Sequence, residues 1–182
     1  MILAISGLHG TGKSTIGKLI AEALDIKFYS TGQAFRDCAN EMNMSLEEFT
    51  EYVEEHPEVD KKLDNRVIEV AQEGNIIIDS QLSGYLLKNV ADLKIHLTCP
   101  LEIRVKRMAA RDNVSYEESL KETLLREKSE FERFKKLYNI DLSDKEVANQ
   151  IYDIVLATEG LSIEEISKKL LNLIKKTKIS KS

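Results

Sequence analysis

The sequence contains few of the residues that mark several common classes of protein. Its 182 residues include two cysteines, two prolines, eight glycines and no tryptophan. Two cysteines cannot build the disulfide framework of a small secreted domain, and so little proline and glycine excludes collagen-like and Pro/Gly-rich disordered chains. No uncharged apolar run reaches about 18 residues, so no transmembrane helix is predicted. Met1 leads directly into an apolar segment without a basic leader or a cleavage site, and we therefore expect a cytosolic protein without membrane contacts.

The charge argues against a nucleic-acid binder, because the net charge is −5 and such proteins usually carry a basic face. The six lysines within residues 168–182 most simply form the solvated face of a terminal helix, and an RNA-associated role is the alternative. Five of the seven arginines fall between Arg104 and Arg133. Arginine binds phosphate through two parallel hydrogen bonds, so this clustering favours a small polyanionic ligand. Ordinary ion pairing along helix faces is the alternative interpretation.

Short apolar runs alternate with longer stretches of helical periodicity along the chain. The predicted strands are Ile2–Ile5, Lys27–Tyr29, Asn75–Asp79, Leu93–Thr98 and Ile151–Ala157. The predicted helices cover residues 14–24, 31–43, 45–55, 57–72 and 162–175, and another begins at Pro100. Strands separated by helices of about ten or more residues are typical of a parallel sheet. We predict an α/β fold in a single domain over residues 1–182, with a parallel sheet of about five strands and helices on both faces.

The segment after the first strand contains the pattern G-x-x-x-x-G-K-S, which is typical of a loop that binds nucleotide phosphates. Because the loop follows a strand and opens a helix, its backbone N–H groups and the helix N-terminus can surround a phosphate. Lys13 is expected to reach the β- and γ-phosphates of ATP, and the Ser14 hydroxyl to bind Mg²⁺. The predicted phosphate-binding residues are Gly7, Leu8, His9, Gly10, Thr11, Gly12, Lys13, Ser14 and Thr15. The sheet is therefore expected to be that of a P-loop NTPase.

Two residues near this loop have competing interpretations. Asp79 ends the third predicted strand, where a carboxylate can hold a water molecule on Mg²⁺. Its alternative role is the N-cap of the turn over residues 80–88. His9 lies at a variable position of the loop, and we expect it to fill space rather than to act chemically.

Other segments indicate which kind of phosphate-loop protein this is. The run Thr31-Gly-Gln-Ala-Phe-Arg36 resembles the acceptor-binding pattern Ser/Thr-Gly-x-x-x-Arg of nucleoside monophosphate kinases. Residues 44–60, the run Asp79-Ser-Gln-Leu-Ser-Gly84 and the run Tyr138-Asn-Ile-Asp141 resemble the archaeal cytidylate kinases. The resemblance covers nearly the whole chain, and residues 44–60 are its most specific part.

The resemblance implies an acceptor-binding region over residues 31–73. The implied acceptor residues are Thr31, Gly32, Phe35, Arg36, Asp60, Arg66 and Gln81. Relatives usually carry an arginine at position 81, where it would bind the acceptor, and Gln81 brings no charge. We expect Arg66 to take over part of that role. Asp60, Asp64 and Gln81 are the candidates for contacting the amino edge of a cytosine base.

The resemblance also implies a lid and its flanking helices over residues 104–138. Arg107 and Arg111 are expected to approach ATP from this lid. Arg126 and Arg133 are seven residues apart and share a helix face. With Glu130 between them they resemble an Arg-Asp-Arg set of bacterial cytidylate kinases that reaches the phosphates, and this resemblance implies that both act with Lys13 on the transferred phosphoryl group. The alternative for this pair is exposed ion pairing with three neighbouring glutamates, Glu127, Glu130 and Glu132.

The reaction implied by the resemblance is transfer of the ATP γ-phosphate to CMP or dCMP, with Mg²⁺ as cofactor. The acceptor phosphate has a second pKa of about 6, so its attacking oxygen is already anionic and no general base is needed. The acceptor region and the lid are expected to move, because closing the site excludes water. The alternatives are another acceptor (AMP, UMP or a small metabolite alcohol) and a slow ATPase that acts as a nucleotide switch. We expect a monomer that binds no nucleic acid.

Overall fold

The protein is built on one parallel sheet of five strands, as seen in a computed structural model that describes residues 1–142 and 150–181. The strands are β1 (Ile2–Ser6), β2 (Lys27–Ser30), β3 (Ile76–Asp79), β4 (Leu93–Thr98) and β5 (Ile154–Ala157). Their order across the sheet is β2-β3-β1-β4-β5, and each neighbouring pair is parallel. The predicted parallel α/β architecture is confirmed.

Helices connect these strands and cover the sheet. They are α1 (Lys13–Leu24), α2 (Thr31–Glu41), α3 (Leu46–Glu55), α4 (Pro57–Gln72), α5 (Ser83–Leu86), α6 (Leu101–Asp112), α7 (Tyr116–Tyr138) and α8 (Ile163–Lys181). Helix α3 begins with a capping box, in which the backbone N–H of Glu48 donates to the Ser45 hydroxyl and the Glu48 carboxylate accepts from the Ser45 N–H. Among the described residues, no helix has the length and apolar character needed to cross a bilayer.

Several element boundaries differ from the sequence prediction, and two of these differences have a local cause. Strand β5 begins at Ile154 rather than at residue 151, because the Asp153 carboxylate accepts a hydrogen bond from the backbone N–H of Lys94 at 2.7 Å. The Asp153 side chain accepts a hydrogen bond that a backbone carbonyl would accept in a regular strand. Regular pairing of β5 with β4 therefore starts one residue later, at Ile154. Helix α2 ends at Glu41 rather than at residue 43, because Asn43 has a φ angle of 54° and turns the chain.

The main core lies on both faces of the sheet. On one face, Leu3 and Ile5 of β1 pack with α1 and α8, while on the other face Ala4 packs with α4. Alternate residues of one strand therefore enter opposite clusters, which explains why the strands read as continuous apolar runs. Ile77 and Ile78 divide in the same way between the two faces, and both are fully buried.

Helices α2, α3 and α4 enclose a smaller apolar cluster of their own. Phe35 and Ala39 of α2 meet Phe49 and Val53 of α3 and Leu63 of α4. The rings of Phe35 and Phe49 lie edge to face, with centroids 4.7 Å apart. The segment with the acceptor pattern is thus held by a separate cluster beside the carboxyl ends of the strands.

Candidate active site

The phosphate loop connects β1 to α1 and takes its shape from its glycines. Gly7, Gly10 and Gly12 have positive φ angles of 144°, 76° and 94°. A Cβ atom at Gly10 would lie 2.6 Å from the carbonyl oxygen of Arg104, so only glycine fits against α6 there. No side chain caps the N-terminus of α1, so the N–H groups of its first turn are available to an anion. This local geometry suits a bound phosphate.

Lys13 begins α1, and its side chain folds back over the loop. Its Nζ donates to the carbonyl oxygen of Leu8 at 3.0 Å, and the Thr11 hydroxyl donates to the same oxygen at 2.8 Å. Burial lowers the pKa of the Lys13 amino group, while the carboxylates of Asp79 and Glu130 oppose this shift. A neutral carbonyl is a weaker partner for an ammonium group than a phosphate is, so a nucleotide can replace it.

Asp79 lies at the carboxyl end of β3 and is 2% exposed. Its Oδ2 accepts hydrogen bonds from the hydroxyls of Ser14 at 2.5 Å and Ser30 at 2.9 Å. The alternative role of Asp79 as a helix cap is wrong, because the residue that precedes α5 is Leu82. A carboxylate flanked by two hydroxyls supplies the oxygen ligands that Mg²⁺ prefers, so these residues fit the expected metal. Thr15, the last residue of the predicted phosphate set, is exposed in the first turn of α1.

The acceptor pattern begins directly after β2. The Ser30 hydroxyl accepts a hydrogen bond from the backbone N–H of Gln33 and so caps α2. Thr31 follows with a buried hydroxyl oxygen that has no hydrogen-bond partner among the described residues. Gly32 has no side chain, and a Cβ there would stand 3.8 Å from Nη1 of Arg36. The cap therefore fixes the start of α2, and Arg36 follows one turn later on the same helix.

The environment of Arg36 on α2 contains both cations and acids. Its guanidinium donates to Oε1 of Gln33 at 3.0 Å. Partial burial lowers the pKa of Arg36, and the charges of Arg111 on α6 and Arg126 on α7 lower it further, whereas Asp79 and Asp37 raise it. Arg111 itself is exposed and pairs with Asp112 at 2.6 Å.

Arg126 lies on the inner face of α7 and is 8% exposed. Its guanidinium is 3.6 Å from Glu122 and 4.0 Å from Glu130, and it lies 6.0 Å from the centre of the Phe35 ring. Its Nε is buried and has no hydrogen-bond partner within the described ranges. The alternative of exposed ion pairs on α7 is wrong, because Glu130 and Arg133 are as buried as Arg126.

Arg133 is paired with a residue that the sequence also assigned to the site. Its Nε donates to the carboxylate of Asp60 on α4 at 2.7 Å, and its Nη1 donates to the Ser129 hydroxyl at 2.5 Å. Asp60 and Arg133 are each about 6% exposed. The predicted acceptor residue and the predicted phosphate-binding residue therefore bind each other, and they link α4 to α7.

A second buried contact lies one turn further along the same two helices. The Tyr138 hydroxyl donates to the Asp64 carboxylate at 2.7 Å. Burial raises the pKa of Asp64 to about 6, and the neighbouring Asp60 adds to this effect against the hydrogen bond from Tyr138. Asp64 is therefore the member of the predicted base-contacting set whose charge changes near neutral pH.

Asp64→Asn should flatten the pH dependence of stability. Between about pH 4 and 6 the folded protein holds a proton at Asp64 that the unfolded chain has released, so stability falls as the pH rises through this window. Wild type should lose about 1–3 kcal/mol more free energy of unfolding than the variant across it. Urea unfolding at pH 4, 5, 6 and 7 measures this difference. Asp25→Asn, at an exposed position, is the control; equal pH dependence in wild type and Asp64→Asn would contradict the expectation.

Arg104 and Arg107 support the phosphate loop from α6. Arg104 is 4% exposed, pairs with Glu127 at 2.5 Å and donates to the carbonyl oxygen of His9 at 2.9 Å. Arg107 donates to the hydroxyl and the carbonyl oxygen of Thr158 at 3.0 and 2.8 Å, and more distantly, at 3.4 Å, to the Gly10 carbonyl. The sequence analysis did not assign Arg104 to the site, since nothing in its spacing distinguishes it from a surface arginine.

The two remaining predicted acceptor residues lie in different environments. Arg66 is exposed on α4 and pairs with Glu69 at 3.1 Å, so its part in acceptor binding stays a prediction. Gln81 follows β3, and its Nε2 lies 2.9 Å from Nε2 of His9 and 2.6 Å from Oε2 of Glu130. His9, expected only to fill space, therefore joins a hydrogen-bonded cluster that no sequence signal indicated.

The fold resembles those of known small-molecule kinases. The shikimate kinase from Acinetobacter baumannii, solved in complex with shikimate, aligns with a TM-score of 0.62 at 16% identity, over 97% of this chain and 94% of that chain. The shikimate kinase from Bacteroides thetaiotaomicron aligns with a TM-score of 0.61 at 14% identity, over 96% and 98%. At these identities the likeness concerns the fold alone. A family model described as an AAA domain matches residues 3–135. Sheet, loop and matched domain together define a P-loop NTPase fold.

Curated relatives narrow the assignment. The chain is 41% identical over 169 residues to the cytidylate kinase of Methanocaldococcus jannaschii, covering 91% of this chain and 93% of that protein. It is 40% identical over 170 residues to the cytidylate kinase of Ignicoccus hospitalis, covering 93% and 99%. The chain belongs to the cytidylate kinase family. The resemblance inferred from the sequence motifs is confirmed.

Proposed function

We propose that the protein transfers the γ-phosphoryl group of ATP to CMP or dCMP and produces ADP with CDP or dCDP. The observation that carries this proposal is a cavity that Arg36 of α2 lines together with Ser14, the residue that follows Lys13 at the start of α1. A loop that binds one polyanion, with further cations beyond it, suits two phosphate-bearing ligands placed end to end. The names of the similar archaeal relatives support cytidine nucleotides as the acceptor.

Charge neutralisation is the main catalytic task in this proposal. The loop amides and Lys13 bind the β- and γ-phosphates of ATP, and Arg36 binds the acceptor phosphate. Arg126, whose charge acts on Arg36, would stabilise the charge of the transferred phosphoryl group. The acceptor oxygen is already anionic near neutral pH, so the protein needs no general base. What remains is to place the two ligands in line and to offset their repulsion.

Ser14 and Asp79 are the residues that would hold Mg²⁺. Bound there, the ion would neutralise charge on the β- and γ-phosphates. The Ser14 hydroxyl now donates to Asp79, so both groups already face the same point at the end of β3. Ser30 donates to the same carboxylate oxygen and keeps it oriented. Among the described residues there is no cluster of three or more His, Cys, Asp or Glu, which agrees with an ion bound largely by nucleotide phosphates.

Two sets of contacts hold the acceptor region and the lid, and they bear on how the site closes. Helices α2–α4 have their own apolar cluster, and α7 crosses to them through the Arg133–Asp60 ion pair. We propose that the acceptor region and the lid approach the phosphate loop as ligands bind. Such closure excludes water, which would otherwise accept the phosphoryl group from ATP.

The choice of acceptor is tested by initial rates with ATP, Mg²⁺ and each of CMP, dCMP, UMP, AMP and GMP. CMP and dCMP should have the highest kcat/KM, because a relative that is 41% identical to this chain is named a cytidylate kinase. Preference for AMP or UMP would contradict the cytidine acceptor while keeping the kinase. Saturable ATP consumption that ignores every added monophosphate would contradict the kinase and favour a slow ATPase.

A further inference from the structure

Three side chains from distant parts of the chain meet at one point between the phosphate loop and α7. Nε2 of His9 lies 2.8 Å from Oε2 of Glu130, and Nε2 of Gln81 lies 2.9 and 2.6 Å from these two atoms. The residues belong to the phosphate loop, the turn after β3 and the middle of α7. This cluster, named here the His9–Gln81–Glu130 cluster, is therefore a direct connection between the sheet and α7.

The number of hydrogens on these three atoms decides which of them donates a hydrogen bond. The Glu130 carboxylate carries no hydrogen, so it accepts one from the Gln81 amide nitrogen at 2.6 Å and one from Nε2 of His9 at 2.8 Å. Burial lowers the pKa of the His9 imidazole and favours the neutral form, whose single ring hydrogen then lies on Nε2. Turning the amide over would bring its oxygen against the carboxylate oxygen. The orientation with nitrogen toward Glu130 is therefore the favourable one.

Glu130 in this cluster is a charged, buried acceptor. Burial alone would raise the pKa of its carboxyl, but contacts with His9, Arg126 and Gln81 outweigh burial and lower it to about 2. Its Oε2 accepts from Gln81, and its Oε1 faces Nη2 of Arg126 at 4.0 Å. Glu130 is thus the link between the Gln81 amide and the Arg126 guanidinium.

The turn that carries Gln81 is rigidly attached to the sheet. The Ser83 hydroxyl donates to the carbonyl oxygens of Ile5 and Ser80 at 3.1 and 2.9 Å, and it lies 2.9 Å from the Ser6 hydroxyl. Leu82 and Ser83 are at most 1% exposed. Gln81 directs its nitrogen to Glu130 although its own Oε1 is buried without a hydrogen-bond partner in the part of the chain described. Burying an unpaired carbonyl oxygen is unfavourable, which argues against a merely space-filling role.

We propose that Gln81 is a positioning residue that holds the Glu130 carboxylate and, through it, sets the place of the Arg126 guanidinium. The catalytic part of this inference rests on the proposed kinase function. Gln81 itself does not contact the reacting atoms in this view. It fixes α7 to the end of β3 at the level of the phosphate loop, where Arg126 must lie to meet the transferred phosphoryl group.

Gln81→Met tests the inference, because methionine keeps the length of the side chain and removes the hydrogen bond to Glu130. Two-dimensional NMR of the ¹⁵N-labelled protein follows the Nε–Hε signal of Arg126, assigned by its loss in Arg126→Lys. The signal should shift or broaden in Gln81→Met and stay in place in Gln72→Met, an exposed position at the end of α4. An unchanged Arg126 signal in Gln81→Met would overturn the inference, whatever reaction the protein catalyses.

Kinetics test the catalytic consequence separately. Gln81→Met should lower kcat about tenfold or more, since a hydrogen bond to a charged group is lost, with little change in the KM for ATP. In an Arg126→Ala background the same substitution should have almost no further effect, because the guanidinium it positions is gone. Equal losses in both backgrounds would contradict positioning through Arg126. Failure of wild type to phosphorylate any monophosphate would instead contradict the proposed function and leave the NMR result to decide the inference.

A second variant covers the case in which Gln81→Met does not fold. Gln81→Glu has nearly the same shape and places a second carboxylate 2.6 Å from Glu130. Repulsion should displace Glu130, move the Arg126 signal and lower kcat in the same way as Gln81→Met. A Gln81→Glu protein with wild-type kcat and an unmoved Arg126 signal would exclude the positioning role.

Discussion

Replacement of Lys13 by alanine should reduce phosphoryl transfer by about 10³-fold or more, the largest effect expected for any single change in the site. The Lys13 ammonium lies over the phosphate loop on a single carbonyl contact to Leu8 and is buried among charged neighbours. In a site with little water, a fixed positive charge at the β- and γ-phosphates stabilises the transition state strongly. Alanine leaves that developing charge to the loop amides, the metal ion and Arg126. Initial rates with ATP and CMP measure the loss.

The matched control is Lys18→Ala, one turn further along α1 at an exposed position. It removes the same charge from the same helix, so any effect of net charge or helix stability appears in both variants. Its rate should stay close to that of wild type. Activity of Lys13→Ala near the wild-type level would reject the assignment of the phosphate loop.

Arg36→Ala should raise the KM for the acceptor by about 10–100-fold and leave the KM for ATP little changed. Arg36 lies one turn into α2, beside Gly32, and lines a cavity with Ser14 at the start of α1. Its guanidinium donates to a neutral amide, that of Gln33, at 3.0 Å, and a phosphate dianion is a much better partner. Removing the Arg36 guanidinium weakens binding of the acceptor phosphate and leaves the binding of ATP unchanged.

Arg36→Lys separates charge from geometry in the same experiment. It keeps the charge and loses the planar fork, so its acceptor KM should fall between those of wild type and Arg36→Ala. Lys61→Ala, at an exposed position of α4, controls for a general loss of charge in the acceptor region. Equal increases in the KM for ATP and for the acceptor would place Arg36 outside the acceptor site.

Most of the fold follows from local features of the sequence. Four of the five strands lie close to their predicted positions, because buried parallel strands read as short apolar runs between helical stretches. Pro57 at the start of α4 and Ser45 before α3 mark their helices in the way expected. The start of the last strand was harder, since Asp153 replaces a backbone acceptor with its side chain.

The motifs also predicted the candidate site residues that lie in a single loop or in the first turns of a single helix. Lys13, Ser14 and Arg36 occur at fixed spacings because each must reach a ligand from the start of a helix. Asp79 could be placed at the carboxyl end of β3 from the pattern of its strand. Its hydroxyl partners, Ser14 and Ser30, come from the ends of other segments and appear only once the strands are aligned.

The contacts between helices could not be predicted from spacing. Asp60 and Arg133 are 73 residues apart, and Gln81 and Glu130 are 49 apart, so no periodicity relates them. The alternative of exposed ion pairs on α7 failed for the same reason. A helix pattern shows which residues share a face, and only the packing of α4 and the sheet against α7 shows that this face is covered.

The apolar packing of this molecule is divided between separate clusters. The sheet with α1 and α8 forms one apolar cluster, whereas Phe35, Phe49 and their neighbours form another within α2–α4. Substitutions around the second cluster can therefore change the segment with the acceptor pattern while the strands keep their packing. An ancestral protein with this layout could vary that segment by small steps, each tolerated by an unaltered central scaffold.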